Sequence, residues 1–316
     1  MIATVNRKPA NRLRRLGKDF YRYRYLLLML LPAVTYIIIF AYIPMTGIVL
    51  AFKRYNYAGG IYGSPWAGLS NFRFLIISNQ LWPLTRNTLL YNFTFIVLGI
   101  CSQVGFALIL NEIGSKRLQK TFQSCMLLPY FISWVVVASI MQAFFSFDYG
   151  IVNRTLESFG MDKVNIYAKP DIWPFLIVFV YLWKQIGYGS VIYLAAMAGI
   201  DPGLYEAAEI DGATLSQRIR YITIPSITPT IIIMFLLAVG QIFRGDFGLF
   251  YQLVGNNALI LPKTDILDLF IYRALITTND YGMSSAAGLY QSVMCFITIM
   301  SVNFLIKKIN PDYTLF

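Results

Sequence analysis

Six long apolar stretches, five of them free of charged residues, constrain this chain more than any other feature. About 20 apolar residues are needed to cross the hydrocarbon core of a bilayer as a helix. Each stretch reaches that length, and only the fourth carries a charge, on Lys184. Since 57% of the residues are hydrophobic and 13% charged, the chain lacks the polar surface of a soluble domain. The sequence therefore predicts an all-α integral membrane protein with six transmembrane helices. They are expected at about 25–51, 87–110, 121–145, 173–197, 221–243 and 282–306.

The distribution of basic residues predicts that both termini are cytoplasmic. Fifteen of the 26 Lys and Arg residues fall on the side of the N-terminus, and eight precede the first span. Basic residues near span ends favour the cytoplasmic side. We expect a basic cytoplasmic tail over 1–24, a six-span domain over 25–310 and a short cytoplasmic tail over 311–316. Anionic lipid headgroups account for the net charge of +11, so no nucleic-acid partner is predicted.

A polar segment at about 201–225 separates the fourth and fifth apolar stretches. Asp201 before Pro202 is a favourable start for a helix, which is expected to run to about Ile210. Gly212 then suits the left-handed conformation at a helix end. Thr214 followed by Gln217 matches a capping box that opens a second helix. The segment is therefore predicted to form a helical hairpin at the cytoplasmic face.

The side chains of this hairpin suit a docking surface. Ala207 and Ala208 leave a shallow surface that another protein can approach closely. Glu206, Glu209 and Asp211 place negative charge on an otherwise basic face of the membrane, and such charge specifies a partner and its register. An ordinary solvated loop between two spans is the alternative that composition alone leaves open.

The order of these residues resembles a known family. Glu206-Ala207-Ala208, then Gly212, then Ile222 through Pro225 is similar to the EAA loop in membrane subunits of binding-protein-dependent ABC importers. The fuller pattern, which includes Asp211 and Ala213, resembles the carbohydrate-uptake branch. Ile224-Pro225 departs conservatively from the Leu-Pro that the family more often has. The basic tail and the run from Leu30-Leu31-Pro32 to Lys53-Arg54-Tyr55 are similar to subunits that import oligosaccharides.

The resemblance implies a type I ABC importer permease bundle in a bacterial cell membrane. Its coupling helix would insert into an ATPase through Glu206, Ala207, Ala208, Glu209, Asp211 and Gly212. Two cytoplasmic ATPase subunits would bind ATP and Mg, and a second permease subunit would complete a heterodimer. An extracytoplasmic binding protein would deliver a carbohydrate, in this branch an oligosaccharide.

The motifs missing from the sequence agree with a subunit that is not itself an enzyme. The chain has no Gly-x-x-x-x-Gly-Lys-Ser/Thr phosphate-binding loop and no histidine. It therefore lacks the residues of a Ser-His-Asp triad and of His-based metal sites. No catalytic residue, metal site or cofactor is predicted for this chain.

A substrate pathway is predicted along the fourth span, where Tyr181, Lys184, Gln185 and Tyr188 share one helical face. A charge inside the bilayer is costly and should face the bundle interior. Tyrosines and an amide beside a cation suit a sugar. A structural lysine bonded to carbonyl groups of a neighbouring helix is the alternative.

Gln241 and Arg244 extend the predicted pathway as a polar mouth at the end of the fifth span. Here the alternative is a local ion pair between Arg244 and Asp246. Because Lys184 and Arg244 are both cationic, a further hypothesis is an acidic cargo such as a uronate-containing oligosaccharide.

Two other functional classes remain as alternatives. An ion-gradient-driven secondary transporter is disfavoured because the predicted spans contain no carboxylates, and because the acidic hairpin would then have no purpose. An intramembrane enzyme is disfavoured because histidine and paired carboxylates within the spans are both missing.

Overall fold

The computed structural model describes residues 21–77 and 79–309 of the chain. Residues 1–20 of the predicted N-terminal tail and all of the predicted tail 311–316 lie outside the described part. The described residues form helices joined by short loops, with single 3₁₀ turns at Ile166–Ala168 and Pro170–Ile172. In chain order the helices are α1 (Arg24–Phe52), α2 (Gly60–Gly63), α3 (Ser70–Ile77), α4 (Leu81–Asn111), α5 (Lys116–Phe131), α6 (Trp134–Phe145), α7 (Ile151–Ser158), α8 (Trp173–Met197), α9 (Pro202–Ile210), α10 (Leu215–Val239), α11 (Phe247–Leu253), α12 (Leu261–Thr264), α13 (Leu267–Ile276) and α14 (Tyr281–Ile309).

Helices α1, α4, α8, α10 and α14 are each long and apolar enough to cross a membrane, and the bent pair of α5 and α6 brings the number of candidate spans to six when it is counted as one. The third span thus differs from the single helix expected over 121–145, because α5 and α6 meet at an angle of 92°. Pro129 lies in the last turn of α5, and its missing amide hydrogen removes one hydrogen bond from that turn. Ser133 is extended and caps α6 by accepting from the Val136 amide at 3.4 Å. Local chemistry at these two residues therefore accounts for the break.

Helices α4 and α8 lie side by side and form the centre of the bundle. Phe95 and Ile177 belong to one buried cluster, whereas Ala107 and Tyr193 belong to another nearer the C-terminal ends of the two helices. The two helices therefore run parallel. Since α9 follows α8 directly, the second cluster marks the hairpin end of the bundle and the first marks the opposite end.

The long segment between α10 and α14 packs on α4 at the end opposite the hairpin. The sequence around Thr264 also predicts that this residue caps a short helix through Thr278, and the structure contradicts that prediction. Thr264 is fully buried at the end of α12 and donates to the carbonyl of Ile260 at 2.8 Å. The first amide of α13, on Leu267, instead donates to the hydroxyl of Thr88 in α4 at 3.0 Å. A long-range contact thus replaces the local cap.

Candidate functional site

The hairpin between α8 and α10 has the shape that the sequence predicts. The Asp201 carboxylate accepts from the Gly203 amide at 2.9 Å and starts α9. Gly212 follows α9 with φ of +77°, and the Ala213 amide returns to the carbonyl of Ala208 at 2.9 Å. This left-handed glycine ends the helix and reverses the chain.

The capping box of the second arm is also confirmed. The Gln217 side chain accepts from the Thr214 amide at 2.7 Å, and the Gln217 amide donates to the Thr214 hydroxyl at 3.4 Å. The helix that begins here continues without interruption into the fifth span. A displacement of the hairpin would therefore act directly on α10.

Two contacts, which sequence reasoning did not identify, tie α9 to the base of α10. The Tyr205 hydroxyl lies 2.9 Å from that of Thr223, which is buried. The Glu209 carboxylate accepts from Arg218 at 2.5 Å. Tyr205 and Glu209 are four residues apart and so share a helix face. That spacing was the signal available in the sequence.

The outer surface of the hairpin is open. Glu206, Ala207, Asp211 and Gly212 are exposed, and Ala208 is half-buried. Apolar side chains lie among them, most notably Ile210, which is 86% exposed. Leu204 and Leu215 are also exposed. These exposed apolar side chains leave a surface on which another protein can bury apolar area.

Lys184 in α8 contacts the break between α5 and α6. Its ammonium donates to the carbonyl oxygens of Pro129, Tyr130 and Ile132 at 3.2, 2.6 and 2.5 Å. It also lies over the ring of Trp134, at 5.1 Å from the centroid. The side chain is buried, and its three N–H donors match these three acceptors. Of the two roles left open for Lys184, this geometry supports the structural one.

The two tyrosines of the predicted α8 face also contact neighbouring helices. Tyr181 stacks on Phe95 of α4 with ring centroids 3.8 Å apart, and Tyr188 stacks on Tyr130 of α5 at 4.3 Å. Gln185 is half-buried. The face therefore packs α8 against α4 and α5, although Tyr188 remains 47% exposed.

Gln241 and Arg244 are both exposed beyond the end of α10. Arg244 lines an open cavity of about 620 Å³. Arg244 and Asp246 both lie in the described part of the chain, and they do not form the ion pair that was the alternative. Asp246 instead caps α11 by accepting from the Leu249 amide at 3.0 Å. Polar and aromatic residues of α11, α13 and α14 share the cavity with Arg244, namely Phe247, Asp268, Tyr272, Gln291 and Ser292.

Asp268 is the carboxylate of this cavity. It accepts from the Gly245 amide at 2.7 Å and from the Gln291 side chain at 2.9 Å. Burial raises the pKa of Asp268 above its ordinary value, while these hydrogen bonds and the charge of Arg244 act in the opposite direction. Asp268 is thus committed to the protein and does not cancel the positive charge of Arg244 by direct pairing.

An aromatic wall borders the cavity and was missed from sequence. Phe247 stacks on Tyr251 with centroids 5.1 Å apart, and Tyr272 lies 5.0 Å from each of them. The helical spacing of Phe247 and Tyr251 was readable, but their approach to Tyr272 depends on how α11 and α13 pack. Aromatic rings beside a cation, an amide and hydroxyl groups give a surface able to bind a carbohydrate.

Residues 103–311 match the family model described as binding-protein-dependent transport system inner membrane component. The chain belongs to this family. The family resemblance drawn from Glu206, Ala207, Ala208 and Gly212 is therefore confirmed, as are the multi-pass inner-membrane location and the helical permease fold. The predicted function is confirmed at this level as well, because the chain is a permease subunit of a binding-protein-dependent transport system.

Relatives of this permease cover nearly its whole length. Protein LplB of Bacillus subtilis (strain 168) is 33% identical, over 92% of this chain and 91% of that protein. The polygalacturonan/rhamnogalacturonan transport system permease protein YteP of the same strain is 32% identical, over 92% and 89%. The crystal structure of a bacterial ABC transporter involved in the import of the acidic polysaccharide alginate contains a chain with a TM-score of 0.85. That chain is 33% identical, with 94% of this permease and 99% of that chain covered.

Proposed function

We propose that this permease is a membrane subunit of an ATP-driven importer of oligosaccharides that carry carboxylate groups. The observation that carries the cargo assignment is Arg244, an exposed cation in an open cavity beside an aromatic wall. Among the described residues, no carboxylate lies within ion-pair distance of it. A guanidinium group in this setting is suited to bind a carboxylate through two parallel hydrogen bonds.

Two relatives support an acidic cargo. The solved structure is of an ABC transporter involved in the import of the acidic polysaccharide alginate, and a second similar structure is of a bacterial alginate ABC transporter in complex with an alginate pentasaccharide-bound periplasmic protein. YteP is named for polygalacturonan and rhamnogalacturonan. The proposed cargo of this permease is accordingly an oligosaccharide that an extracytoplasmic binding protein delivers. In the proposed orientation, both termini and the hairpin lie on the cytoplasmic side.

The hairpin is the proposed docking site for an ATPase. The residues that would enter a groove on one of two ATPase subunits, which bind ATP and Mg, are Glu206, Ala207, Ala208, Glu209, Asp211 and Gly212. The exposed Ile210 and the contacts that tie α9 to α10 support this role, because they join an open surface to a span. The ATPase subunits would then hydrolyse ATP, and this chain would pass their movement on to its spans.

A second permease subunit is proposed to cover the first half of α1. The segment Arg24–Ile37 is apolar and has no buried residue within the described chain. Lipid can cover single helices, but two spanning bundles are needed to enclose a pathway between them. The proposed partner is a different chain, which makes the complex a heterodimer of permeases with two ATPases.

The cargo proposal is tested by uptake into proteoliposomes that contain the complete transporter. Uronate and neutral oligosaccharides of matched length are compared for the wild type and for Arg244→Gln. Loss of one charge-assisted contact, worth roughly 1.5–3 kcal/mol, should raise KM for the acidic sugar about 10-fold or more and leave uptake of the neutral sugar unchanged. Arg154→Gln removes an exposed charge from the outer loop and should change neither. A wild-type preference for the neutral sugar would refute the acidic cargo.

ATP dependence separates this proposal from an ion-gradient-driven transporter. Uptake should require ATP inside the ATPase-bearing compartment, and Glu206→Lys should reduce co-purification of the ATPase. If the purified permease alone accumulates sugar when an ion gradient is imposed, the ATP-driven assignment is wrong.

A further inference from the structure

A groove of about 370 Å³ lies between the first turns of α4 and α8, at the end of the bundle opposite the hairpin. Leu90 and Thr94 of α4 form one wall, and Pro174 and Val178 of α8 form the other. Arg86 and Lys263 lie at its mouth. This α4–α8 groove takes no part in the hairpin or in the cavity around Arg244.

Both cations retain donors for a ligand. Arg86 is exposed, and the side-chain hydrogen bond that it makes in the described part of the chain goes to Asn87 at 3.2 Å. Lys263 pairs with Asp171 at 3.4 Å, but Asp171 is 83% exposed. Exposed ion pairs of this kind contribute little stability. A phosphodiester at the mouth can therefore accept from both residues.

The position of Lys263 is fixed by α4. The Tyr91 hydroxyl donates to the Lys263 carbonyl at 3.0 Å. The Asn87 amide, which is buried, donates to the carbonyl of Asp265 at 3.1 Å. These hydrogen bonds hold the backbone at Lys263 against α4, so the fold places Lys263 and Arg86 at the same mouth of the groove.

The depth of the groove matches a membrane interface. The uncharged apolar stretches of α4 and α8 begin at residues 87 and 173, so the mouth lies at headgroup level and the walls lie in the hydrocarbon layer. Trp82 is 70% exposed near the start of α4, as is common for tryptophan at this level. Phe93 and Phe179 are exposed deeper along the same helices.

We infer that the α4–α8 groove binds an anionic phospholipid of the outer leaflet. The phosphodiester lies between Arg86 and Lys263, and an acyl chain runs along Leu90 and Val178. Basic pockets between transmembrane helices recognise anionic headgroups in this way. The cations at the mouth match the anionic headgroup of a lipid, and the apolar walls below them match its acyl chains. The bound lipid would hold α12 against the starts of α4 and α8.

Native mass spectrometry of the complete transporter tests this inference. Delipidated complex is titrated with phosphatidylglycerol or with phosphatidylcholine of identical acyl chains. The wild type should bind phosphatidylglycerol in preference, and Arg86→Gln with Lys263→Gln should weaken that binding about 10-fold. Arg54→Gln with Arg154→Gln removes equal charge from exposed residues outside the groove and should have no effect. Equal binding of the two lipids, or an equal loss in the control variant, would overturn the inference.

A second variant tests the apolar part of the groove independently of its two cations. Val178→Trp fills the proposed acyl-chain path and keeps both cations, so it should also weaken binding of phosphatidylglycerol. Unchanged binding of phosphatidylglycerol would contradict the site. A cross-link from position 90 to the second permease subunit in all complexes would also contradict it, because protein would then occupy the groove. Because lipid is counted directly, either result leaves the proposed cargo untouched.

Discussion

The ammonium group of Lys184 donates to the carbonyl oxygen of Tyr130 across 2.6 Å, directly before the break between α5 and α6. A helix end leaves carbonyl groups without partners, and the hydrocarbon layer offers no water to replace them. Lys184 supplies donors to the carbonyls of Tyr130 and Ile132, and it shares the carbonyl of Pro129 with the Ile132 amide. A buried charge and a helix break, each costly alone, therefore stabilise one another.

Lys184→Met should destabilise the permease by about 3 kcal/mol or more, because it leaves buried carbonyl groups unpaired. Thermal unfolding in detergent measures the change. Lys163→Met is the matched control, since the pair of Lys163 with Glu157 is partly exposed and its loss should cost less than about 1 kcal/mol. The KM for cargo of the folded fraction should stay unchanged. A stable Lys184→Met with a raised KM would instead restore the pathway role.

The hairpin could be predicted residue by residue because its signals are local. Asp201, Gly212 and the Thr214–Gln217 pair each act on amides within a few residues. The capping of Leu267 by Thr88 depends on a partner far away in sequence. Lys184 shows the same limit, since its burial was predictable but its acceptors, some 50 residues earlier, were not.

Gly212→Ala should destabilise the hairpin by about 1–2 kcal/mol, because φ of +77° is unfavourable for any residue with a Cβ. An added Cβ meets nothing within 4 Å, so the cost arises from the backbone alone. Hydrogen exchange of α9 measures it, and less ATPase should co-purify. Gly199→Ala, at a position with ordinary backbone geometry, should leave both unchanged. Equal exchange in the two variants would refute the argument.

Tyr205→Phe should lower the number of sugars imported per ATP hydrolysed. It removes the hydrogen bond to Thr223, worth about 1 kcal/mol, and so loosens α9 from the base of α10. Uptake and ATP hydrolysis are measured together in proteoliposomes. Tyr221→Phe, which alters an exposed tyrosine nearby, serves as the control. An unaltered transport ratio in Tyr205→Phe would show that this contact does not carry the coupling.

Asp268→Asn should make the stability of the permease less sensitive to rising pH. Burial raises the pKa of Asp268 in the folded state above its ordinary value of 3.8, so the folded protein favours the protonated form. The contribution of Asp268 to the free energy of unfolding is therefore fully present below pH 3.8. It is lost as the pH rises through the higher pKa of the folded state. Asparagine keeps an oxygen that can accept from both Gly245 and Gln291, which bond the same carboxylate oxygen.

Thermal unfolding of the Asp268→Asn variant between acidic and neutral pH measures this difference. The variant should be at least as stable as the wild type at pH 7, and its Tm should fall less as the pH rises. Asp246 and Asp265, whose pKa values burial also raises, remain in both proteins, so the difference isolates Asp268. Asp268→Ala leaves Gly245 and Gln291 without their acceptor and should lose about 1–3 kcal/mol at every pH. If Asp268→Asn unfolds as easily as Asp268→Ala at pH 7, the negative charge itself is required, and its interaction with Arg244 outweighs the cost of burial.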